Sequence, residues 1–200
     1  MWIKHIPFAD ARGRLKKLYD RIVTPDGYID NIMKVHSLRA NTLEGHMAIY
    51  KNVLHHNNNT QPKWLLEAAG SYVSYLNGCQ YCYQHHATGM TRLLNNDAKA
   101  ASIKQAIEQD ALETAFDAKE LAIMTYAKAL TLEPAQMQED HLDALRKVGL
   151  DDADILELNQ VISYFAYANR TVLGLGVTTD GEVLGLSPNE NDDPDNWQHS

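Results

Sequence analysis

The chain has 200 residues, 44% hydrophobic and 22% charged, which supplies enough apolar material for a core and argues against general disorder. Eighteen Lys and Arg against 26 Asp and Glu leave a net charge of −8 with no basic stripe, a poor match to nucleic acid or an anionic membrane surface as partner. No apolar run approaches a membrane span, the N-terminal MWIKHIPFADARGRLKK lacks the apolar centre of a secretion signal, and two cysteines cannot staple a secreted framework, so a cytoplasmic location is expected.

Only six prolines and eleven glycines interrupt the chain, and such sparse breakers favour long helices. The first helix is expected near 10–23, stopped by Thr24-Pro25-Asp26-Gly27. A second runs from about 41 to 55 with Leu43, Met47, Tyr50 and Leu54 on one face, ending at Asn57-Asn58-Asn59-Thr60. The third spans about 62–76 and meets the turn signal Asn77-Gly78, after which a new helix starts at or beside Cys79. A short helix follows near 97–108. Over 117–131, Leu121, Met124, Ala127 and Leu130 keep helical spacing, and Asp117 with Glu120 reads as a capping box. Pro134 closes that helix, and Gly149 closes the next, in HLDALRKVGL. The last helix starts near Asp151 or Asp152 and carries Ile155, Leu158, Val161, Ile162 and Phe165 toward Gly174. Residues 177–184 read as a loop rather than a hairpin. The expected organisation is one all-α domain over 1–187 and an acidic, flexible tail over 188–200, in which Trp197 could dock on a neighbouring surface.

The chemistry concentrates in EAAGSYVSYLNGCQYCYQHH, residues 67–86. Cys79 and Cys82 are three apart, and Cys82 and His86 four apart, so one helix stacks both sulfurs and an imidazole on a common face. At a helix start, unpaired backbone N–H groups and the positive dipole end favour a thiolate at Cys79, each pKa unit corresponding to about 1.4 kcal/mol. Glu67 lies twelve residues before Cys79, roughly 18 Å along an unbroken helix, and approaches the sulfurs only if the chain folds back at Asn77-Gly78.

Several readings compete. The cysteine pair fits redox chemistry, a small buried apolar role, or metal ligation by Cys79, Cys82 and His86 with Glu67 or water fourth; the metal reading lacks the second ligand pair of a structural zinc site. No cofactor is expected. His55, His56 and His85 read as surface or capping residues, and Glu67 alone as a solvated helix charge. Tyr72, Tyr75, Tyr81 and Tyr83 fit either a pocket or plain packing. Sequons at Asn58 and Asn169 carry no weight without secretion.

Glu67, then eleven residues, then Cys79-Gln80-Tyr81-Cys82, then His86 resembles the alkylhydroperoxidase D (AhpD)-like and carboxymuconolactone decarboxylase superfamily, in its peroxidase-related branch. KVHSLRANTLEGHMAIY and VISYFAYANRTVLGLGV extend the likeness over most of residues 2–177. The resemblance implies an all-α fold, a homo-oligomer (a trimer or a multiple, or a dimer) and reduction of hydroperoxides. It makes Cys82 the peroxidatic cysteine, Cys79 the resolving partner, and Glu67 with His86 a proton relay, with an external dithiol restoring the pair. Helix-start electrostatics alone favour Cys79 as nucleophile instead. Characterised hydroperoxidases carry a histidine directly before the second cysteine; Tyr81 stands there in this chain. Decarboxylase members generally lack the cysteine pair, so lactone chemistry is not implied. The rival function is a non-catalytic oligomer or binding module switched by a Cys79–Cys82 disulfide.

Overall fold

A computed structural model describes residues 1–24, 27–187 and 197. Among these residues there are helices and no strand: α1 (Gly13–Ile22), α2 (Asn31–Lys34), α3 (Ala40–Leu54), α4 (Lys63–Leu76), α5 (Gln80–Leu94), α6 (Asp97–Glu108), α7 (Ala118–Leu132), α8 (Glu139–Lys147) and α9 (Asp152–Leu175), with three short 3₁₀ turns. The all-α expectation holds.

The local signals act as their chemistry requires. Glu120 N–H donates to Asp117 Oδ1 at 2.9 Å, and Asp117 N–H donates to Glu120 Oε2 at 3.0 Å, the reciprocal cap expected for α7. Asp151 caps α9 by accepting from the N–H groups of Ala153 and Asp154. Two boundaries differ from expectation. α1 begins at Gly13, because a 3₁₀ turn over Phe8–Asp10 precedes it. The four-residue α2 had no periodic pattern long enough to announce it. Residues 177–184 form a loop, as expected. The tail over 188–200 lies outside the described residues except for Trp197, which is buried with the Arg21 guanidinium 3.6 Å from its ring.

α4 is the axis of the bundle. Every residue from Leu65 to Ser74 is buried, and the helix packs against α5, α6, α7 and α9. A helix buried all round normally carries apolar residues all round. α4 instead carries Glu67, Ser71 and Ser74, so three polar groups enter the interior. The two serines satisfy themselves, each hydroxyl donating to the carbonyl four residues back, at 2.8 and 2.7 Å. The acid needs a partner from elsewhere. Close approach of α9 depends on Gly70: a Cβ there would lie 2.0 Å from the Phe165 ring.

Candidate active site

The turn between α4 and α5 is where the sequence makes the site. Asn77 remains near helical geometry and Gly78 takes φ +69°, a left-handed conformation in which glycine has no Cβ penalty. Gly78 N–H then donates to Tyr75 O at 3.0 Å, and Cys79 N–H donates to Ser74 O at 2.8 Å. That pair of bonds is a Schellman closure of α4. Cys79 closes α4 and is at the same time the N-cap residue of α5. One residue thus belongs to two helices, and three residues reverse the chain. The cysteine pair sits at a helix start, as expected.

Both thiols are free and buried, Cys79 at 0% and Cys82 at 2% exposure, in a small apolar cluster with Val35, Tyr81, Val172 and Val177. The side chains hydrogen-bond to each other. The S–H of Cys82, assisted by the N–H groups of Cys82 and Tyr81 and by the Asn169 amide, holds the Cys79 thiol below its usual pKa despite burial. Cys82 goes the other way. Its proton is held by Cys79, burial disfavours its charge, and the negative charge of Cys79 adds to both, so its pKa is well above the usual thiol range. Of the two thiols Cys79 therefore loses its proton first, and the shared proton stays with Cys82.

Glu67 is buried at 2% exposure, which overturns its reading as a solvated helix charge. The α4–α5 reversal brings it to His86: Glu67 Oε2 and His86 Nδ1 are 2.6 Å apart. A short contact between an acid and an imidazole is a charge-assisted bond of the stronger kind. The His86 ring is held edge-on by Phe165, centroids 4.5 Å apart, and by Tyr50 at 6.2 Å. Glu67, His86 and Cys82 all line one cavity of about 40 Å³, together with Tyr50, Tyr81 and Tyr164. Cys79 does not line it. Burial first, then the charge of nearby Glu67, pushes the Tyr50 phenol well up; burial and the charge of Cys82 do the same to Tyr164. These hydroxyls stay neutral donors at the cavity wall.

His85 is not a surface residue. It is buried, its Nε2 lies 2.8 Å from Glu182 Oε2, and it lines the same cavity. His55 is likewise buried, edge-on to Tyr50 at 4.7 Å, which corrects its surface reading. His56 keeps a turn role, accepting from Asn58 N–H at 3.1 Å. Of the four tyrosines near the thiols only Tyr81 reaches the cavity. Tyr72, Tyr75 and Tyr83 instead tie α4 and α5 to Asp110 and Glu108. Tyr81 donates to Glu182 Oε1 at 3.0 Å and accepts from Ile32 N–H at 3.2 Å. Burial and then the charge of Glu182 raise it well above the usual phenol range, so it is a fixed donor rather than a titrating relay group.

Two site residues were missed in the sequence. Asn169 accepts from Asn77 Nδ2 at 2.9 Å and donates to Ser74 Oγ at 3.1 Å, and its amide also bonds the thiols. It occupies the core stripe Ile162, Phe165, Asn169, Val172, where one polar residue among apolar ones was a usable signal. Glu182 had none, being one acid in a loop. Among the described residues no group of three or more His, Cys, Asp or Glu side chains is arranged to hold a metal ion, and no helix is long and apolar enough to cross a membrane.

The fold and the buried pair define an all-helical protein with a thiol pair at a helix start. Its architecture is that of the AhpD-like, peroxidase-related proteins. An uncharacterised peroxidase-related protein from Silicibacter sp. TM1040 matches with a TM-score of 0.73 and 22% identity over 86% of this chain and 88% of its own. An AhpD-core, peroxidase-related protein from Ralstonia eutropha JMP134 matches with a TM-score of 0.67 and 18% identity over 82% of each chain. The debrominase Bmp8, in a Cys→Ala variant complexed with 2,3,4-tribromopyrrole, matches with a TM-score of 0.70 and 17% identity over 89% of this chain and 91% of its own. Neither a protein-family model nor a curated protein matches the sequence.

Proposed function

We propose that the protein is a thiol peroxidase that reduces small hydroperoxides through a Cys82 sulfenic acid and a Cys79–Cys82 disulfide. One observation carries this reading: Cys82 lines a small cavity beside a Glu67–His86 pair, with Cys79 bonded to it and outside the cavity lining. The geometry favours Cys82 over Cys79 as nucleophile, since attack needs access and only Cys82 faces the cavity.

As Cys82 engages the peroxide, its proton passes along the shared bond to Cys79. The Cys82 sulfur bonds to the distal peroxide oxygen and the O–O bond breaks. Sulfur is oxidised, peroxide is reduced, and the departing alkoxide takes a proton from the site. Cys79 then gives its proton to the Glu67–His86 pair and attacks the sulfenic sulfur. The S–S bond forms and hydroxide leaves as water on taking that proton back. Two thiols and one hydroperoxide give a disulfide, an alcohol and water. An external dithiol must restore the pair by exchange. The cavity, at about 40 Å³, holds a few waters and not a brominated ring, which favours a small hydroperoxide over the debrominase's kind of ligand.

The test is consumption of ethyl hydroperoxide by the reduced protein with excess dithiothreitol. Sustained consumption is expected, abolished by Cys82→Ser; Cys79→Ser should accumulate a sulfenic acid that dimedone traps. One equivalent per chain followed by arrest, with a Cys79–Cys82 disulfide that persists in excess dithiol, would favour the redox switch. Trapping of sulfenic acid on Cys79 in Cys82→Ser at the wild-type rate would reverse the roles of the two cysteines.

A further inference from the structure

Cys82 has two imidazoles one helical turn away, His85 at i+3 and His86 at i+4, and both positions are helix-surface neighbours of Cys82. Each imidazole is bonded to a buried carboxylate, and the two carboxylates come from different parts of the chain. Glu67 reaches His86 from α4, while Glu182 reaches His85 from the loop after α9. A peroxidase needs a base for the thiol and an acid for the departing oxygen, and one pair has to serve both only if a second is lacking.

Glu182 is an unusual side chain for a loop. Its carboxylate has 0% exposure, accepts from Tyr81 and from the N–H of Asn31, and bonds His85. Burying a carboxylate is costly unless it is fully bonded, and a loop residue has every chance to turn outward. The loop is tied down around this acid: Asn31 Nδ2 donates to Thr178 O at 2.9 Å, and Gly185 packs so closely on α5 that a Cβ would lie 2.8 Å from Thr88. The Nε2 of His85 is taken by Glu182, and His85 lines the cavity, so Nδ1 is the ring nitrogen left to serve a substrate. Besides Glu182, the titratable groups around His85 are Tyr81, whose ring centroid is 4.7 Å away, and Asp30, Glu67, His46, His86, Tyr50, Tyr164 and Cys82 in the cavity lining.

We infer that His85 is the general acid that protonates the departing alkoxide, and that Glu182 is the positioning residue that orients it, so that the loop over 177–187 is part of the active site. This rests on the peroxidase reading. When the O–O bond breaks, His85 Nδ1–H gives its proton to the alkoxide oxygen and alcohol leaves. The proton that Cys79 later releases leaves with hydroxide as water, and His85 regains its own from solvent. Tyr81 fixes the second carboxylate oxygen, and in this way a tyrosine before Cys82 supports an imidazole one turn further on.

A general acid is needed in proportion to how poor the leaving group is. Ethyl hydroperoxide must expel ethoxide, whereas peracetic acid, of similar size, expels acetate, which needs no proton. The experiment measures the single-turnover rate of Cys82 sulfenate formation with both oxidants for wild type, His85→Gln and Glu182→Gln, alongside alkylation of the thiols by iodoacetamide. For His85→Gln the expected loss with ethyl hydroperoxide is about 100-fold, the lower end of general-acid effects, with peracetic acid and iodoacetamide near wild type. Glu182→Gln should show the same selectivity with a smaller loss. Equal losses with both oxidants would mean that His85 is merely structural, and no loss with either would also overturn the assignment. Failure of the wild type with both oxidants would instead sink the peroxidase reading and this inference with it.

Discussion

Replacing Asn169 with leucine, close to it in size, removes a side chain that bonds both thiols, together with its bonds to Ser74 and Asn77. Its amide has two N–H groups: one goes to Ser74 Oγ at 3.1 Å and the other serves the sulfurs, favouring their charged form. A hydrogen bond to a charged group is worth about 1.5–3 kcal/mol net, which corresponds to about one to two pKa units. The bond is shared between two sulfurs, so the lower end is expected. The first apparent pKa of the pair should rise by about one unit, since the thiolate loses a donor and a higher pH is needed to form it. Below that pKa the thiolate fraction falls about tenfold, and iodoacetamide reacts more slowly in proportion. The assay is ultraviolet thiolate absorbance against pH on reduced wild type and Asn169→Leu, with the alkylation rate as a second measure. An unchanged titration in a folded Asn169→Leu protein would refute the reasoning and leave the backbone N–H groups of α5 and Cys82 itself as sole holders of the charge.

Gly70→Ala puts a methyl within 2.0 Å of Phe165, and urea unfolding should show a loss of about 1–3 kcal/mol, because two core helices have to separate. Gly78→Ala forces a Cβ into φ +69° at the α4–α5 turn; a loss of about 1–2 kcal/mol is expected, and Gly78→Asn should lose less because asparagine tolerates that region better. Tyr50, Tyr81 and Tyr164 have raised folded-state pKa values, so their contribution to stability is complete below the ordinary phenol pKa of 10.0 and is lost as pH rises above it. Melting temperature by circular dichroism should therefore fall in strongly alkaline buffer, and a flat profile there would contradict the burial of these phenols. The small cavity predicts that kcat/KM falls from hydrogen peroxide and ethyl hydroperoxide to cumene hydroperoxide; equal values would mean that the site opens well beyond its present volume.

What could be read from the sequence was whatever local chemistry decides. Asp117 with Glu120 and Asn77-Gly78 specify their caps and turn within a few residues, and helical spacing places Cys79, Cys82 and His86 on one face. Glu67 was legible only as half of a conditional, since its meaning depends on the chain reversing at Gly78. The sense of His85 was not legible, because an imidazole reads as surface until a carboxylate ninety-seven residues away is known to reach it. Glu182 acts from a loop and Asn31 from the first residue of a four-residue helix, and neither has a period to read. Asn169 falls between these cases: the interruption of an apolar stripe was visible, but its partners Ser74 and Asn77 belong to another helix.

The pair of thiols is best understood as a unit whose two requirements fall on different atoms. A thiolate is stable where N–H groups converge, and those converge on Cys79, the residue shared by the end of α4 and the start of α5. A nucleophile is useful where substrate arrives, and the cavity meets Cys82. A single sulfur meeting both demands would sit at the helix cap and in the cavity at once, leaving no place for the resolving thiol. Dividing them costs one proton transfer along a hydrogen bond that already exists. Glu67 and Glu182 each bond an imidazole, so each carboxylate orients a proton carrier, while the charge of Glu182 adds to the rise in the Cys82 pKa.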